Sequence, residues 1–255
     1  MSLRLSVYQN IPKPTPETPL VEVSVAALRP TQWCVGCAEV WARQVDFSSD
    51  SRQTRLDYLR KKPVPMVRNA AGSLWMVDRH HRLRSLLGID PEATTWGYVI
   101  AEVDDQNPTA AMTYLQTQGW LYLYDSRGQG PRHPSELPGS LLTLEDDPYR
   151  SLVWKLKQEG LIKPQAHIPY HEFRWAAWLR QRPLPPFSSR QLEPALAPAR
   201  RLVCSESARN IACLLYTSDA ADEGLGRCPD ALSTSPPDAP GSRLDGEYCC
   251  TSPPR

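Results

Sequence analysis

The sequence predicts an α+β fold: a compact unit of short strands and helices, then a helical half, then a disordered tail. Three observations carry this reading. Short runs of strand character at 20–25 (LVEVSV), 64–67, 74–77 and 97–103 (GYVIAEV) interleave with helical segments in roughly the first hundred residues. From residue 108 onward, apolar residues recur at helical spacing. From residue 213 that periodicity stops and Pro and Ser accumulate. Such a segment buries too little apolar surface to offset its ordering entropy.

Taken in order, residues 1–19 hold four Pro and read as an irregular arm. LVEVSV at 20–25 alternates as a half-buried strand does, and LRPTQ at 28–32 breaks it. Residues 36–45 suit a short helix, with Val40, Trp41 and Val45 apolar. Ser48, Ser49 and Asp50 are N-cap candidates for a helix through Arg60. The runs at 64–67 and 74–77 flank NAAG at 69–72, the signature of a hairpin turn. Directly after the second run stands D-R-H-H-R at 78–82, followed by Leu83, Leu86 and Leu87 at helical spacing. The motif therefore sits where a strand hands over to a helix. Further helices are expected at 108–118, from Asp147-Pro148 onward, at 170–180 and at 191–203, with a Gly/Pro-rich loop over 126–140. This divides the chain into an arm (1–19), a small domain (20–106), a helical region (107–211) and a tail (212–255).

Composition limits the function classes. With 41% hydrophobic and 22% charged residues among 255, the chain is neither fibrous nor disordered throughout. No stretch reaches the roughly 18 apolar residues of a membrane span. The start, MSLRLSVYQN, lacks the apolar core of a signal peptide, so a cytoplasmic protein without a membrane partner is expected. Charge is uneven. From Cys213 there are 3 Arg against 7 Asp/Glu, which leaves 26 Lys/Arg against 21 Asp/Glu before it. That mild excess suits an anionic ligand.

On physics alone, D-R-H-H-R is an anion site. A helix that starts just after a strand presents unpaired backbone N–H groups and the positive end of its dipole. Arg82 can add paired donors to a phosphate. His80 and His81 are adjacent, so on a regular helix they point about 100° apart and do not serve one ligand together. Asp78 can hold a metal or fix an imidazole tautomer. The same residues also fit a histidine pair that caps a helix start and makes surface hydrogen bonds.

Residues 73–87, SLWMVDRHHRLRSLL, resemble the strand–D-G-H-H-R–helix signature of the ParB/sulfiredoxin superfamily, most closely its ParB-like nuclease branch. LRPTQ at 28–32 with V-G-x-x-E-V at 35–40 resembles that branch's N-terminal box. DDPYRSLVWKL at 146–156 and EFRWAAWLR at 172–180 resemble its C-terminal half. The resemblance spans about residues 20–211. It implies a small mixed β-sheet domain that binds a nucleoside di- or triphosphate with Mg²⁺. Relatives hydrolyse CTP, use ATP to rescue a sulfinic cysteine, or phosphorylate free serine. It further implies that Arg79, His80, His81 and Arg82 bind phosphate and that Asp78 binds Mg²⁺ or orients the nucleophile. His81 then hydrogen-bonds the transferred group. Glu39 corresponds to the acidic residue beside the acceptor hydroxyl, a general-base candidate. The expected partners are a nucleotide and a small-molecule hydroxyl substrate. Two alternatives remain, a DNA-associated nuclease or partition protein and an inactive binding module. The departure is Arg79, which stands where the family has Gly, so it either adds a phosphate contact or blocks the pocket. Sulfiredoxin's reactive Cys falls at His80, so sulfinic reduction is not expected.

Other motifs read blandly. Cys34 and Cys37 form a C-x-x-C without the second pair a structural zinc site needs, so two reduced cysteines in a loop are expected. Phe173, Trp175 and Trp178 are spaced around a helix and suit core packing better than base stacking. Asp146 and Asp147 suit a helix cap better than a metal. The link between the helices in 147–180 is too long for a helix-turn-helix, which argues against sequence-specific DNA reading. CLLYTSDAADE at 213–223 resembles a translated sequencing-library adapter, so the tail is set aside.

Overall fold

The computed structural model describes residues 8–165 and 168–208. The adapter-like string and the expected disorder of the tail lie outside the described residues. All described residues fall within one compact unit, and its architecture is α+β.

A five-stranded mixed sheet organises the first half, in the order β1-β6-β4-β5-β2. Its strands are β1 (Val21–Ser24), β2 (Leu28–Arg29), β4 (Val64–Asn69), β5 (Leu74–Met76) and β6 (Thr94–Val103). β1 runs antiparallel to β6, β6 parallel to β4, β4 antiparallel to β5, and β5 parallel to β2. A second, two-stranded parallel ribbon pairs β3 (Cys34–Val35) with β7 (Glu145–Asp146), tying the first box of the chain to the start of its helical half.

Strand alternation sets the layers. On β4 and β5, Met66, Leu74 and Met76 point to one face. There they meet Leu28, Val40, Leu59, Leu83 and Leu86. Most of that cover comes from three helices, α1 (Cys37–Ser49), α2 (Arg52–Lys61) and α3 (His80–Leu87). Val67, Trp75 and Val77 point to the other face, where Ala111 and Leu115 of α4 (Pro108–Thr117) cover them together with Trp120. The helical half has an apolar cluster of its own. In it Leu152, Val153 and Leu156 of α5 (Pro148–Gln158) meet Trp175, Trp178 and Leu179 of α6 (His171–Arg180). Leu196 and Ala199 of α7 (Glu193–Val203) close it.

The hairpin at 69–72 forms as read, with Gly72 at φ +77, a conformation glycine adopts without steric cost. Several boundaries differ for identifiable reasons. Residues 28–29 form β2 rather than only a break, because Leu28 pairs with Leu74 and is buried. α1 continues through Ser48 and Ser49, and the cap of α2 is Ser51, whose Oγ accepts the Thr54 N–H at 3.1 Å. Tyr170 lies outside α6, left-handed at φ 56. The cysteines occupy a strand and a helix start rather than a loop.

The first turn of α1 is capped from a distance. Asp146 Oδ1 accepts the Cys37 N–H at 3.0 Å, and Ser151 Oγ accepts the Ala38 N–H at 3.1 Å. Asp147 caps its own helix, accepting the Tyr149 and Arg150 N–H groups. Both aspartates are therefore caps, as expected. The close approach of α1 and α5 requires Gly36. A Cβ there sits 2.7 Å from the Ser151 backbone nitrogen and 3.0 Å from the Arg150 carbonyl carbon. Backbone cannot swing aside as a flexible side chain does. Gly36→Ala should therefore cost about 1–3 kcal/mol. Urea unfolding should show a lower midpoint at an unchanged slope.

Candidate functional site

A cleft of about 240 Å³ opens between the start of α3 and the wall made by α5 and α6. Glu39, Asp78, Arg79, His80, His81 and Arg82, the residues singled out from sequence, all line it. So do Gln32, Arg43, Arg150, Lys157, Tyr170, Glu172 and Phe173. The fold thus brings every sequence-level candidate together and adds a second wall from the helical half.

The two histidines pin this site. His80 is buried, and its Nε2 accepts the Thr31 N–H at 3.0 Å. His81 Nε2 accepts the Gly36 N–H at 2.9 Å. With Nε2 accepting in both rings, each neutral imidazole carries its proton on Nδ1. The rings point to different partners, as adjacent helical positions require. Both are pushed down to about 3. Burial is the leading cause for each, and for His81 the Arg150 charge adds to it. The motif's imidazoles are thus neutral acceptors that hold the loop from Thr31 to Gly36 against α3.

No side chain caps α3 or α6. Each is preceded by a non-glycine residue in the left-handed region, Arg79 at φ 78 and Tyr170 at φ 56. These are the only two such residues among the described ones, and both line the cleft. Strain of this kind collects at functional sites. Asp78 steadies the first. Its Oδ1 accepts the Arg79 N–H at 2.6 Å, and its Oδ2 pairs with Arg79 Nη1 at 2.9 Å. Arg79 therefore takes a conformation that a glycine takes freely, and its side chain folds back toward Asp78.

Glu39 organises the opposite charges. Arg43 donates to its Oε1 through Nε at 3.0 Å and Nη2 at 2.8 Å, while Arg150 Nη2 donates to Oε2 at 2.9 Å. Burial works against its ionised form, but the cations Arg150 and Arg43 outweigh it and hold the carboxyl well below the usual range. Glu172 behaves alike. Burial opposes ionisation, and Arg150 and Lys157 hold the carboxyl down at about 2. A general base needs a proton affinity near the working pH. Glu39 has both oxygens occupied and little such affinity.

The guanidinium groups retain unused donors. Arg150 is buried, yet its Nε and Nη1 have no hydrogen-bond partner. Arg82 donates Nη1 to the Lys62 carbonyl at 3.0 Å and lies over the Tyr58 ring, with Nε unpartnered. Burial pushes Arg82 down to about 10, a cation held at a cost in desolvation. In formal charge the cleft carries five cations, Arg43, Arg79, Arg82, Arg150 and Lys157, against Glu39, Asp78 and Glu172.

Outside the cleft, burial and the Asp147 charge push the Cys34 thiol well up, and burial and Asp146 push Cys37 up to about 11. Protonated, buried thiols make poor nucleophiles. Phe173, Trp175 and Trp178 are buried as read, although Phe173 also reaches the cleft and stacks on Tyr122 at 4.2 Å between centroids. Among the described residues no group of three His, Cys, Asp or Glu is placed to hold a metal ion. No helix among them is long and apolar enough to cross a membrane.

A family model described as "Putative ParB-like nuclease" matches residues 21–181, and the chain belongs to this ParB-like family. Among solved structures the chain is similar to protein Atu1540 from Agrobacterium tumefaciens. The two share 26% identity at a TM-score of 0.65, over 75% of this chain and 95% of that one. A search of curated proteins finds no match.

Sequence reasoning missed Arg43, Arg150, Lys157 and Glu172. Arg150 and Glu172 lay inside boxes recognised by resemblance, and their signal was a charged residue on an otherwise apolar helix face. The histidines yield a pH dependence. An imidazole depressed in the folded state favours folding fully above its ordinary value of 6.5, and that stability is lost as pH falls toward 3. Between pH 6.5 and 5, the slope should approach about 1.4 kcal/mol per pH unit for each imidazole. Denaturant titrations across this window should show the slope, and His81→Gln, which keeps an acceptor but does not titrate, should reduce it by about half, leaving the His80 share.

Proposed function

We propose that the cleft binds the phosphates of a nucleoside di- or triphosphate. One observation carries the reading: Arg150 is buried at the cleft wall with Nε and Nη1 unpartnered, opposite the uncapped start of α3. A buried donor without an acceptor costs about 1–3 kcal/mol, and an anion placed there recovers it. Helix-start N–H groups and guanidinium donors together are the usual components of a phosphate site. Arg79 and Arg82 extend the same donor surface.

Mg²⁺ held with a nucleotide uses one or two carboxylates and fills its shell with phosphate oxygens and waters. Asp78, half-exposed at the cleft wall, fits that demand, and the ion would neutralise phosphate charge there. Transfer of a phosphoryl group to a small hydroxyl substrate remains compatible with this cleft. Binding without turnover is favoured by the low basicity of Glu39, His80 and His81. The cleft's size suits a single phosphate-bearing molecule better than duplex DNA, which makes nuclease action the less supported reading.

Calorimetric titration of the purified chain with Mg²⁺ complexes of ATP, GTP, CTP and UTP tests this. At least one should bind. Arg82→Gln should weaken it at least about tenfold, the equivalent of one charge-assisted contact. Arg200→Gln, on a surface pair with Glu159, should leave it unchanged. Salt-steep DNA binding with no mononucleotide binding would overturn the proposal.

A further inference from the structure

The N-terminal arm, read from sequence as irregular and apart from the domain, reaches the cleft. Residues 8–19 form no helix or strand, yet several bonds fasten them. Gln9 N donates to the Gln118 carbonyl at 2.9 Å, and Trp120 Nε1 donates to the Gln9 carbonyl at 2.8 Å. Tyr98 Oη donates to the Pro12 carbonyl at 2.8 Å. The arm also spans two apolar clusters. Tyr8 packs on the helical one, with Arg174 over its ring at 5.2 Å, while Ile11 packs on the sheet-side one beside Val77 and Trp120.

Ile11 is at the same time a lining residue of the cleft. Val77, Pro164, Ile168, Pro169 and Phe173 give that lining a further apolar component beside its five cations. Phosphate has no use for apolar wall. A ligand that carries both a phosphate chain and a flat or apolar body uses both, as small-molecule sites generally combine apolar lining with a few placed polar groups.

We infer that the arm is part of the ligand site, and that Ile11 packs against the nucleoside body of the ligand while the guanidinium groups take its phosphates. This rests on the phosphate reading above and adds a specificity residue from a segment outside the sheet. It separates two energies: the phosphate contacts are shared by any polyphosphate, and the Ile11 contact belongs to the nucleoside alone. Losing about 1 kcal/mol of apolar contact corresponds to several-fold in affinity.

The test compares two probes on the full chain, the tightest-binding Mg²⁺–nucleoside triphosphate and inorganic tripolyphosphate with Mg²⁺. The wild-type chain should bind the nucleotide more tightly than tripolyphosphate. Ile11→Ser should weaken the nucleotide about three- to tenfold and leave tripolyphosphate unchanged. A melting temperature close to wild type would show the variant folded, and Ile11→Val should restore most of the affinity. Nucleotide affinity unchanged in Ile11→Ser overturns the role of the arm while the phosphate reading stands. Equal weakening of both probes also overturns it, since the effect is then structural. No binding of either probe by the wild-type chain removes the phosphate reading and this inference with it.

Discussion

Two backbone N–H groups, on Thr31 and Gly36, each donated to an imidazole at the start of α3, hold the site together. The loop between them follows β2 and contains β3, and without those acceptors it would carry unpaired donors in a dry interior. Its position decides everything beyond it. Gly36 lets α1 lie against α5, and α1 carries Glu39 and Arg43 into the cleft. Burial keeps the rings uncharged, and only an uncharged ring accepts an N–H. The D-x-H-H-R motif is therefore half architecture: its histidines line the cleft but give their Nε2 acceptors to the protein's own backbone.

Electrostatic balance follows from that geometry. Glu39 sits among Arg43, Arg150 and His81, and Glu172 pairs with Lys157. Each carboxylate holds a cation in place without consuming all of its donors. The remaining N–H groups of Arg150 and Arg82 lie unpartnered at the cleft, beside two helix starts that no side chain caps. A carboxylate so strongly paired makes a weak proton acceptor, which shapes the functional reading toward recognition.

The sheet was readable because short apolar runs bounded by turn residues mark its strands. Which face each residue takes was not readable, since Met66, Val67, Trp75 and Met76 are all apolar and all buried, on two different clusters. The start of α3 was readable because a strand pattern gives way to leucines at helical spacing beside a motif of known type. β2 was hidden, since two residues carry no periodicity and Leu28 is extended only through its pairing with β5. The roles of the histidines were hidden for a related reason. Their acceptors' partners lie about fifty residues upstream in a loop, and spacing along the chain says nothing of such contacts. Arg150 was visible as a charge within a helix, but not as a buried one facing Glu39 across 111 positions.

The long separation of these pairs also bears on how the molecule comes to exist. Cys37 and Asp146 lie 109 positions apart, Glu39 and Arg150 111, and Thr31 and Tyr170 139. Closing loops of that size is entropically costly and slow, and it precedes any gain from the contacts made. During synthesis the N-terminal sheet can therefore assemble early, while the cleft waits for α5 and α6 to leave the ribosome and dock. The cleft is complete only in a chain that already carries α6.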